Sequence, residues 1–181
     1  LMGGMGEDVG RFFLLQLLDS IGYLHSRNMV HRDLKLENIL IDDNLLLHIA
    51  DFGFAVFKQE NVDIQALNSY RGTKTYMAPE IKEGKVYSGL KIDLFSIAVI
   101  LFIIVKGTFP FLEAKRDDAY YSLLMDGKVD SYLKSVGANT LSKEFQDLIV
   151  KMFSYDADKR LSANQVRAHP WMLSATSNFD S

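Results

Sequence analysis

The sequence contains no cysteine, only three prolines and no excess of positive charge. The absence of cysteine excludes a disulfide framework and cysteine-ligated zinc. A formal net charge of −3 at pH 7 gives no indication of a nucleic-acid partner, which would favour a basic surface. This composition is that of an ordinary soluble chain, so the cytoplasm is the default expectation for its compartment.

Long hydrophobic runs are also missing. The longest apolar run covers residues 94–105 and is interrupted by Ser96. A membrane-spanning helix needs about 20 apolar residues, so we expect no membrane span. A helix that is apolar on all sides is typical of a protein core, and this run is therefore predicted to be a buried helix.

The patterns that are present predict one mainly α-helical domain with a small β hairpin near its front. Apolar side chains recur at helical spacing over residues 10–25, and further helices are predicted at residues 119–125, 142–153 and 163–168. Ser142 is the predicted N-cap of its helix, and the last helix is expected to end at His169 and Pro170.

Two short apolar runs, at residues 39–41 and 46–49, flank residues that favour a turn, which predicts the hairpin. Residues 54–72 show no periodicity, as is typical of a functional or mobile segment. We therefore expect a single domain over residues 1–173, followed by a polar tail at residues 174–181.

Three motifs follow one another along the front half of the chain. Residues 31–38 read HRDLKLEN, residues 51–53 read DFG and residues 78–80 read APE. They match the catalytic-loop pattern H-R-D-L-x-x-x-N and the two later signatures of protein kinases, in the required order. Five fixed positions arise by chance only about once in a few million starting points, so the first motif alone is already specific.

The residue types in these motifs suit phosphoryl transfer, which needs positioning and charge neutralisation more than covalent chemistry. Asp33 is a loop carboxylate able to orient a hydroxyl and accept its proton. Asn38 and Asp51 offer the hard oxygen ligands that Mg²⁺ prefers, and the hairpin between them would bring them together. Lys35 could stabilise charge on the transferred group as a compact cation.

On these motifs the sequence resembles the C-terminal lobe of a eukaryotic-type Ser/Thr protein kinase, a fold whose complete domain has two lobes and is α+β. Within that family it is most similar to the calmodulin-dependent and AMP-activated kinase group. That similarity rests on DFGFA at residues 51–55, DLFS at 93–96, GTFPF at 107–111, RLSA at 160–163 and HPWM at 169–172.

The resemblance implies transfer of the γ-phosphoryl group of MgATP to Ser or Thr hydroxyls of protein substrates. It implies that catalysis involves Asp33, Lys35 and Thr73. It implies ATP contacts from Lys35, Asn38, Leu40 and Asp51, with Mg²⁺ held by Asn38 and Asp51.

The resemblance also implies roles for residues outside the catalytic motifs. Asp93 is expected to receive backbone N–H groups of the catalytic loop, because a lone acid that opens an apolar helix needs such partners. Glu80 and Arg160 are expected to form a buried ion pair.

Arg32 is expected to bind a phosphorylated activation loop, with Ser69 as the phosphorylated residue. Tyr70 and Thr75 are rival phosphorylation sites. The alternative is that Ser69 is simply a polar loop residue.

One half of the kinase pattern is not found in the sequence. It contains no Gly-rich loop between strands, no strand lysine and no helix glutamate to pair with that lysine; the glycines at residues 3–6 directly precede a helix and are interpreted as a loop. We therefore expect that the N-lobe is missing from this chain and that the chain alone has little activity. Two explanations stay open: an active kinase of which this is a piece, or a natural half-kinase that acts as a non-catalytic binding module. The intact Asp33, Lys35, Asn38 and Asp51 favour the first.

Overall fold

A computed structural model describes residues 3–57, 67 and 69–174 of the chain. Two long helices dominate them, α1 at Glu7–Ser26 and α3 at Gly89–Lys106. The four short strands are β1 at Met29–Val30, β2 at Ile39–Ile41, β3 at Leu47–Ile49 and β4 at Val56–Phe57. The remaining α-helices are α2 at Pro79–Lys82, α4 at Tyr121–Met125, α5 at Val129–Ser135, α6 at Lys143–Met152, α7 at Ala163–Arg167 and α8 at Pro170–Leu173. Single 3₁₀ turns lie at Leu36–Asn38 and Ala138–Thr140.

Helix α3 forms the centre of the core and packs against α1. Every residue from Ile92 to Ile103 is buried, which confirms the buried helix predicted from the apolar run. The helix ends at Gly107, which has a φ of 79° and donates its N–H to the Ile103 carbonyl at 2.7 Å, a conformation that glycine adopts without strain. Within the described part of the chain, no helix is long and apolar enough to cross a membrane.

The predicted hairpin is confirmed. Strands β2 and β3 pair antiparallel, with Ile39 opposite Ile49. Asp42 shapes the turn between them, because its Oδ1 accepts the backbone N–H groups of Asn44 and Leu46, each at 2.9 Å. The hairpin places the two ends that flank it, residue 38 and residue 50, side by side, and the Ala50 N–H donates to the Asn38 carbonyl at 2.8 Å.

Other predictions need correction. Strands β1 and β4 form a second two-stranded sheet that was not predicted, with Val30 opposite Val56. Strand β4 lies inside the aperiodic segment at residues 54–72. Strands this short carry no readable period, so the pattern could not reveal them. Helix α5 was not predicted either. The predicted end of the helix before His169 and Pro170 is confirmed, because α7 ends at Arg167. It is not the last helix, since Pro170 opens α8, a first-turn position where its missing N–H costs nothing.

The predicted cap of α6 is confirmed, since the Ser142 hydroxyl accepts the Phe145 N–H at 3.1 Å. Residues 58–66 and 68 of the aperiodic segment, and residues 175–181 of the predicted tail, lie outside the described residues.

Candidate active site

The loop after β1 holds a carboxylate between two partners. Asp33 is 4% exposed, and its Oδ1 accepts both the backbone N–H of Thr73 at 2.7 Å and the Thr73 hydroxyl at 2.8 Å. Its Oδ2 accepts from Lys35 Nζ at 2.9 Å, and the same ammonium donates to the Thr73 hydroxyl at 3.1 Å. The hydrogen bond to Asp33 raises the pKa of Lys35 and keeps it charged. The structure thus brings together the three residues predicted to be catalytic.

This arrangement leaves Asp33 with spare capacity to accept a hydrogen bond. A carboxylate offers about four lone-pair positions. Three donor groups occupy Asp33: the amide and hydroxyl of Thr73 and the ammonium of Lys35. One position therefore remains for the hydroxyl of a bound molecule, on a carboxylate whose orientation is already fixed.

Asp93, at the start of α3, fixes the backbone of the same loop. Its Oδ2 accepts the His31 N–H at 3.0 Å, and its Oδ1 accepts the Arg32 N–H at 2.9 Å. Arg32 has a φ of 67°, which is unusual for a residue with a side chain and needs such surrounding bonds to persist. A third contact comes from α1, where His25 Nε2 lies 2.9 Å from Asp93 Oδ2. The sequence offered no signal for His25, because its partner is 68 residues away.

Asn38 and Asp51 flank the hairpin, since Asn38 directly precedes β2 and Asp51 follows two residues after β3. The Asn38 side-chain NH₂ donates to the Asp33 carbonyl at 3.0 Å, which leaves the amide oxygen as its ligand atom. Asp51 adopts a φ of 60°, and its Oδ1 accepts the Gly53 N–H at 3.1 Å. The described residues contain no cluster of three or more His, Asp or Glu side chains that could hold a metal ion. Two protein oxygens nevertheless fit Mg²⁺, which takes few protein ligands and completes its shell with phosphate and water oxygens.

Leu40 lies on β2 and is 55% exposed, so its side chain is accessible to a ligand. Phe52, in the segment after β3, is also exposed, and its ring meets the His31 ring edge to face at 5.0 Å. His31 is fully buried, and its Nε2 lies 3.1 Å from the Ala50 carbonyl. This ring joins the catalytic loop to the segment that carries Asp51.

Arg32 reaches the segment that carries the predicted phosphorylation sites. Its Nε donates to the Phe54 carbonyl at 2.7 Å, and its Nη1 donates to the Ser69 hydroxyl at 2.7 Å. The Tyr87 hydroxyl holds the Ser69 carbonyl at 2.7 Å. Ser69 is therefore placed against a guanidinium. Of its rivals, Tyr70 is exposed, whereas Thr75 is half-buried.

The predicted pair of Glu80 and Arg160 is present and saturated with hydrogen bonds. Arg160 Nη1 and Nη2 donate to the two Glu80 carboxylate oxygens at 2.8 and 2.9 Å. The remaining N–H groups bond the carbonyls of Lys91 and Ser154, so all five guanidinium donors are used. The guanidinium also lies 4.9 Å from the centre of the Phe95 ring. This pair joins α2 to the loop before α7.

Gly72 has a steric role that its place in the sequence did not reveal. It has a φ of +114°, and a Cβ built on it would lie 2.7 Å from the Arg32 carbonyl oxygen. Only glycine allows the backbone to approach this closely. Thr73 can reach Asp33 because the residue before it has no side chain.

Comparison with known proteins agrees with this geometry. The chain matches the protein kinase domain over residues 2–172, and it belongs to the protein kinase family. It is 39% identical to the serine/threonine-protein kinase chk1 of Schizosaccharomyces pombe, over 96% of this chain and 34% of that protein. It is 38% identical to the SNF1-like protein kinase ssp2 of the same yeast, over 92% and 27% of the two chains. It is 33% identical to the serine/threonine-protein kinase SIK2 of Gallus gallus, over 94% and 20%. The chain thus spans about a third or less of the length of these relatives.

Proposed function

We propose that this chain forms the larger lobe of a Ser/Thr protein kinase of the calmodulin-dependent and AMP-activated group, and that the complete enzyme transfers the γ-phosphoryl group of MgATP to Ser or Thr hydroxyls of proteins. The observation that carries the proposal is the Asp33 carboxylate, held by Thr73 and Lys35 with one lone-pair position left over. Two of the named relatives, chk1 and SIK2, are serine/threonine-protein kinases, which supports the same activity.

In this mechanism Asp33 accepts the hydrogen of the substrate hydroxyl in its remaining lone-pair position. The hydroxyl oxygen is thereby oriented for attack on the γ-phosphorus. As the new bond forms, Asp33 takes up the proton, and the bond from the γ-phosphorus to the bridging oxygen breaks, so that ADP leaves. Thr73 keeps the carboxylate from rotating, because it bonds the same oxygen through two of its own groups. Lys35 is charged and close enough to neutralise negative charge that develops on the transferred group.

The nucleotide side of the site would be formed by Asn38, Leu40 and Asp51. The oxygens of Asn38 and Asp51 would hold Mg²⁺, and Leu40 would contact the nucleotide through its exposed side chain. When bound, the metal neutralises charge on the phosphate oxygens. The hydrogen bonds from Asn38 to the Asp33 carbonyl and from the Gly53 N–H to Asp51 orient these ligands in advance.

Ser69 is the proposed phosphorylation site. A phosphate there would replace a neutral hydroxyl at 2.7 Å from Arg32 Nη1 with a dianion, which forms a stronger, charge-assisted bond. Since the Arg32 backbone is bound to Asp93 and precedes Asp33, such a bond would tie the activation segment to the catalytic loop.

We also propose that the part of a kinase that grips ATP lies outside these 181 residues. The described residues contain two two-stranded sheets and no glycine-rich turn between paired strands. The chain alone would then have little activity. The enzyme would work on protein substrates in the cytoplasm. The alternative proposal is a natural half-kinase that binds a partner without catalysis; the vacant position on Asp33 favours the catalytic one, because a binding module has no need of it.

The decisive variant is Asp33→Asn in the protein that carries both lobes. An amide cannot accept the proton, so the rate of phosphate transfer to a protein substrate should fall about 10²- to 10⁴-fold, with unchanged thermal unfolding. Asp130→Asn is the matched control, because Asp130 is an exposed acid on α5. Full activity of the Asp33→Asn protein would refute the catalytic proposal and leave the binding module.

The lobe assignment has a separate test. In calorimetric titrations, MgATP should bind the 181-residue chain much more weakly than the protein that carries both lobes, and the chain should transfer little or no phosphate. Robust turnover by the 181 residues alone would contradict the proposal that half of the nucleotide site lies elsewhere, without touching the role of Asp33.

A further inference from the structure

A group of lysines lies around Glu113, outside the residues assigned to catalysis. Lys82, at the end of α2, donates to Glu113 Oε2 at 2.8 Å, and its side chain is only 7% exposed. Lys115 lies 3.9 Å from the same carboxylate and 3.4 Å from Asp117. Lys74 follows Thr73 directly in the chain and is exposed. We call these three lysines the lysine cluster.

The lysine cluster carries more positive charge than its acids neutralise. The hydrogen bond from Lys82 lowers the pKa of Glu113, and the charges of Lys115 and Lys74 lower it further. Burial lowers the pKa of Lys82, and the charges of Lys115 and Lys74 lower it further. The cluster has three lysines and two paired carboxylates, Glu113 and Asp117, so one positive charge has no acid of its own among them.

Lys74 is the member of the cluster that is next to Thr73 in the chain. Thr73, the residue before it, is bonded to Asp33 through its N–H and its hydroxyl. The Lys74 carbonyl accepts the Met77 N–H at 3.4 Å, so the Lys74 backbone is held in the turn that leads to α2. Lys74 forms no ion pair with any described residue. Within the described part of the chain its ammonium is therefore available to pair with an incoming acid, one residue from the Thr73 that holds Asp33.

Resting on the proposed function, we infer that the lysine cluster selects protein substrates with a carboxylate side chain close to the phosphorylated Ser or Thr, with Lys74 as the contacting residue. Lys82 and Glu113 hold the cluster together, because their hydrogen bond joins α2 to the segment before α4. The negative charge of Asp33 itself does not oppose this choice, since Lys35 already pairs with it.

The test uses synthetic peptides with a single serine. Aspartate is placed at each position on either side of the serine in turn, and the matched peptide has asparagine at that position. With the protein that carries both lobes, kcat/KM should be about three- to tenfold higher for the aspartate peptide at the position that meets Lys74, the size expected for a partly exposed charge pair. The preference should shrink as the salt concentration rises.

Two charge-reversal variants distinguish a direct contact of the peptide with Lys74 from an effect of the protein's net charge. Lys74→Glu should abolish or invert the ratio of kcat/KM between the aspartate and asparagine peptides. Lys134→Glu makes the same change in net charge at an exposed lysine on α5 and should keep the ratio. Equal kcat/KM for the two peptides at every position, or an equal effect of both reversals, would overturn the inference.

Failure of the proposed function would look different. If no peptide receives phosphate, the anisotropy of fluorescein-labelled peptides titrated with the 181-residue chain still decides the question. Tighter binding of the aspartate peptide, lost in Lys74→Glu and kept in Lys134→Glu, would support the lysine cluster as an acidic-peptide site without catalysis. Equal affinities for both peptides would reject it.

Discussion

Two ion pairs of this molecule each join a carboxylate to a cationic side chain, but they differ in burial and in how completely they are hydrogen-bonded. Asp33 and Lys35 pair at 2.9 Å, and Glu80 and Arg160 pair at 2.8 Å. The Lys35 side chain is 22% exposed, and the Asp33 carboxylate keeps a lone-pair position open. The Arg160 side chain is fully buried, and every N–H of its guanidinium has a partner.

The difference indicates that the Glu80–Arg160 pair stabilises the fold, whereas the Asp33–Lys35 pair keeps a carboxylate able to accept another hydrogen bond. A buried charge costs several kcal/mol unless its bonds are complete, so saturation at Arg160 makes that pair a fixed joint between α2 and the loop before α7. A carboxylate with all positions filled could not accept a substrate proton. The incomplete shell of Asp33 is tolerable because Asp93, Thr73 and Lys35 hold its surroundings in place. The two pairs should therefore respond differently to substitution.

The largest expected effect comes from breaking the saturated pair. Arg160→Met removes the guanidinium and leaves the Glu80 carboxylate buried without its cation. The free energy of unfolding of the 181-residue chain, measured by urea denaturation, should fall by about 3–5 kcal/mol. The double variant with Glu80→Gln should recover part of this loss, because the stranded charge is gone.

The control for Arg160→Met is Arg116→Met. Arg116 pairs with Asp126, but its side chain is 65% exposed, and exposed pairs contribute only about 0–1 kcal/mol. If Arg160→Met lowers the free energy of unfolding no more than Arg116→Met does, then complete hydrogen bonding does not make the buried pair more stabilising than an exposed one.

The next largest effect concerns the Asp33–Lys35 pair, and it should appear in kcat. Gly72→Ala places a methyl group against the Arg32 carbonyl, at a φ that alanine adopts only with strain, and the loop must shift. Thr73 then loses its alignment with Asp33, and kcat of the protein with both lobes should fall about tenfold to a hundredfold, since small misplacements are costly in catalysis.

Gly22→Ala is the matched control, because Gly22 lies on the exposed side of α1 with nothing near its added Cβ. It should keep full activity and stabilise the helix by about 0.5–1 kcal/mol. Normal kcat in Gly72→Ala would show that Thr73 does not depend on the close approach of the backbone.

The sequence predicted the parts of this comparison that depend on local pattern. The apolar run of α3, the hairpin and the cap at Ser142 were readable because each depends on neighbouring residues. The protein kinase family was readable from the motifs and is confirmed by the comparison with known proteins. The individual site roles stay predictions, although the structure brings Asp33, Lys35 and Thr73 into contact.

The rest could not be read, because it depends on distant contacts. The pairing of β1 with β4 joins segments of two residues each, which have no period of their own. His25 reaches Asp93 across 68 residues, and Lys82 reaches Glu113 across 31. Such contacts follow only once α1, α2 and α3 are packed.

The smallest expected effect concerns a buried hydroxyl that, unlike the Arg160 guanidinium, has no hydrogen-bond partner among the described residues. The Tyr132 side chain is fully buried, and its hydroxyl forms no hydrogen bond with any described residue. Tyr132→Phe removes only the desolvated hydroxyl, so the free energy of unfolding should stay unchanged or rise by up to about 1 kcal/mol. Tyr121→Phe deletes a hydroxyl that is equally buried but donates to the Phe153 carbonyl at 3.0 Å, and it should lower that free energy by about 1 kcal/mol. Urea denaturation should therefore show a loss of stability in Tyr121→Phe only. A loss in both variants would mean that the Tyr132 hydroxyl has a partner such as a buried water, and that its shell, like that of Arg160, is complete.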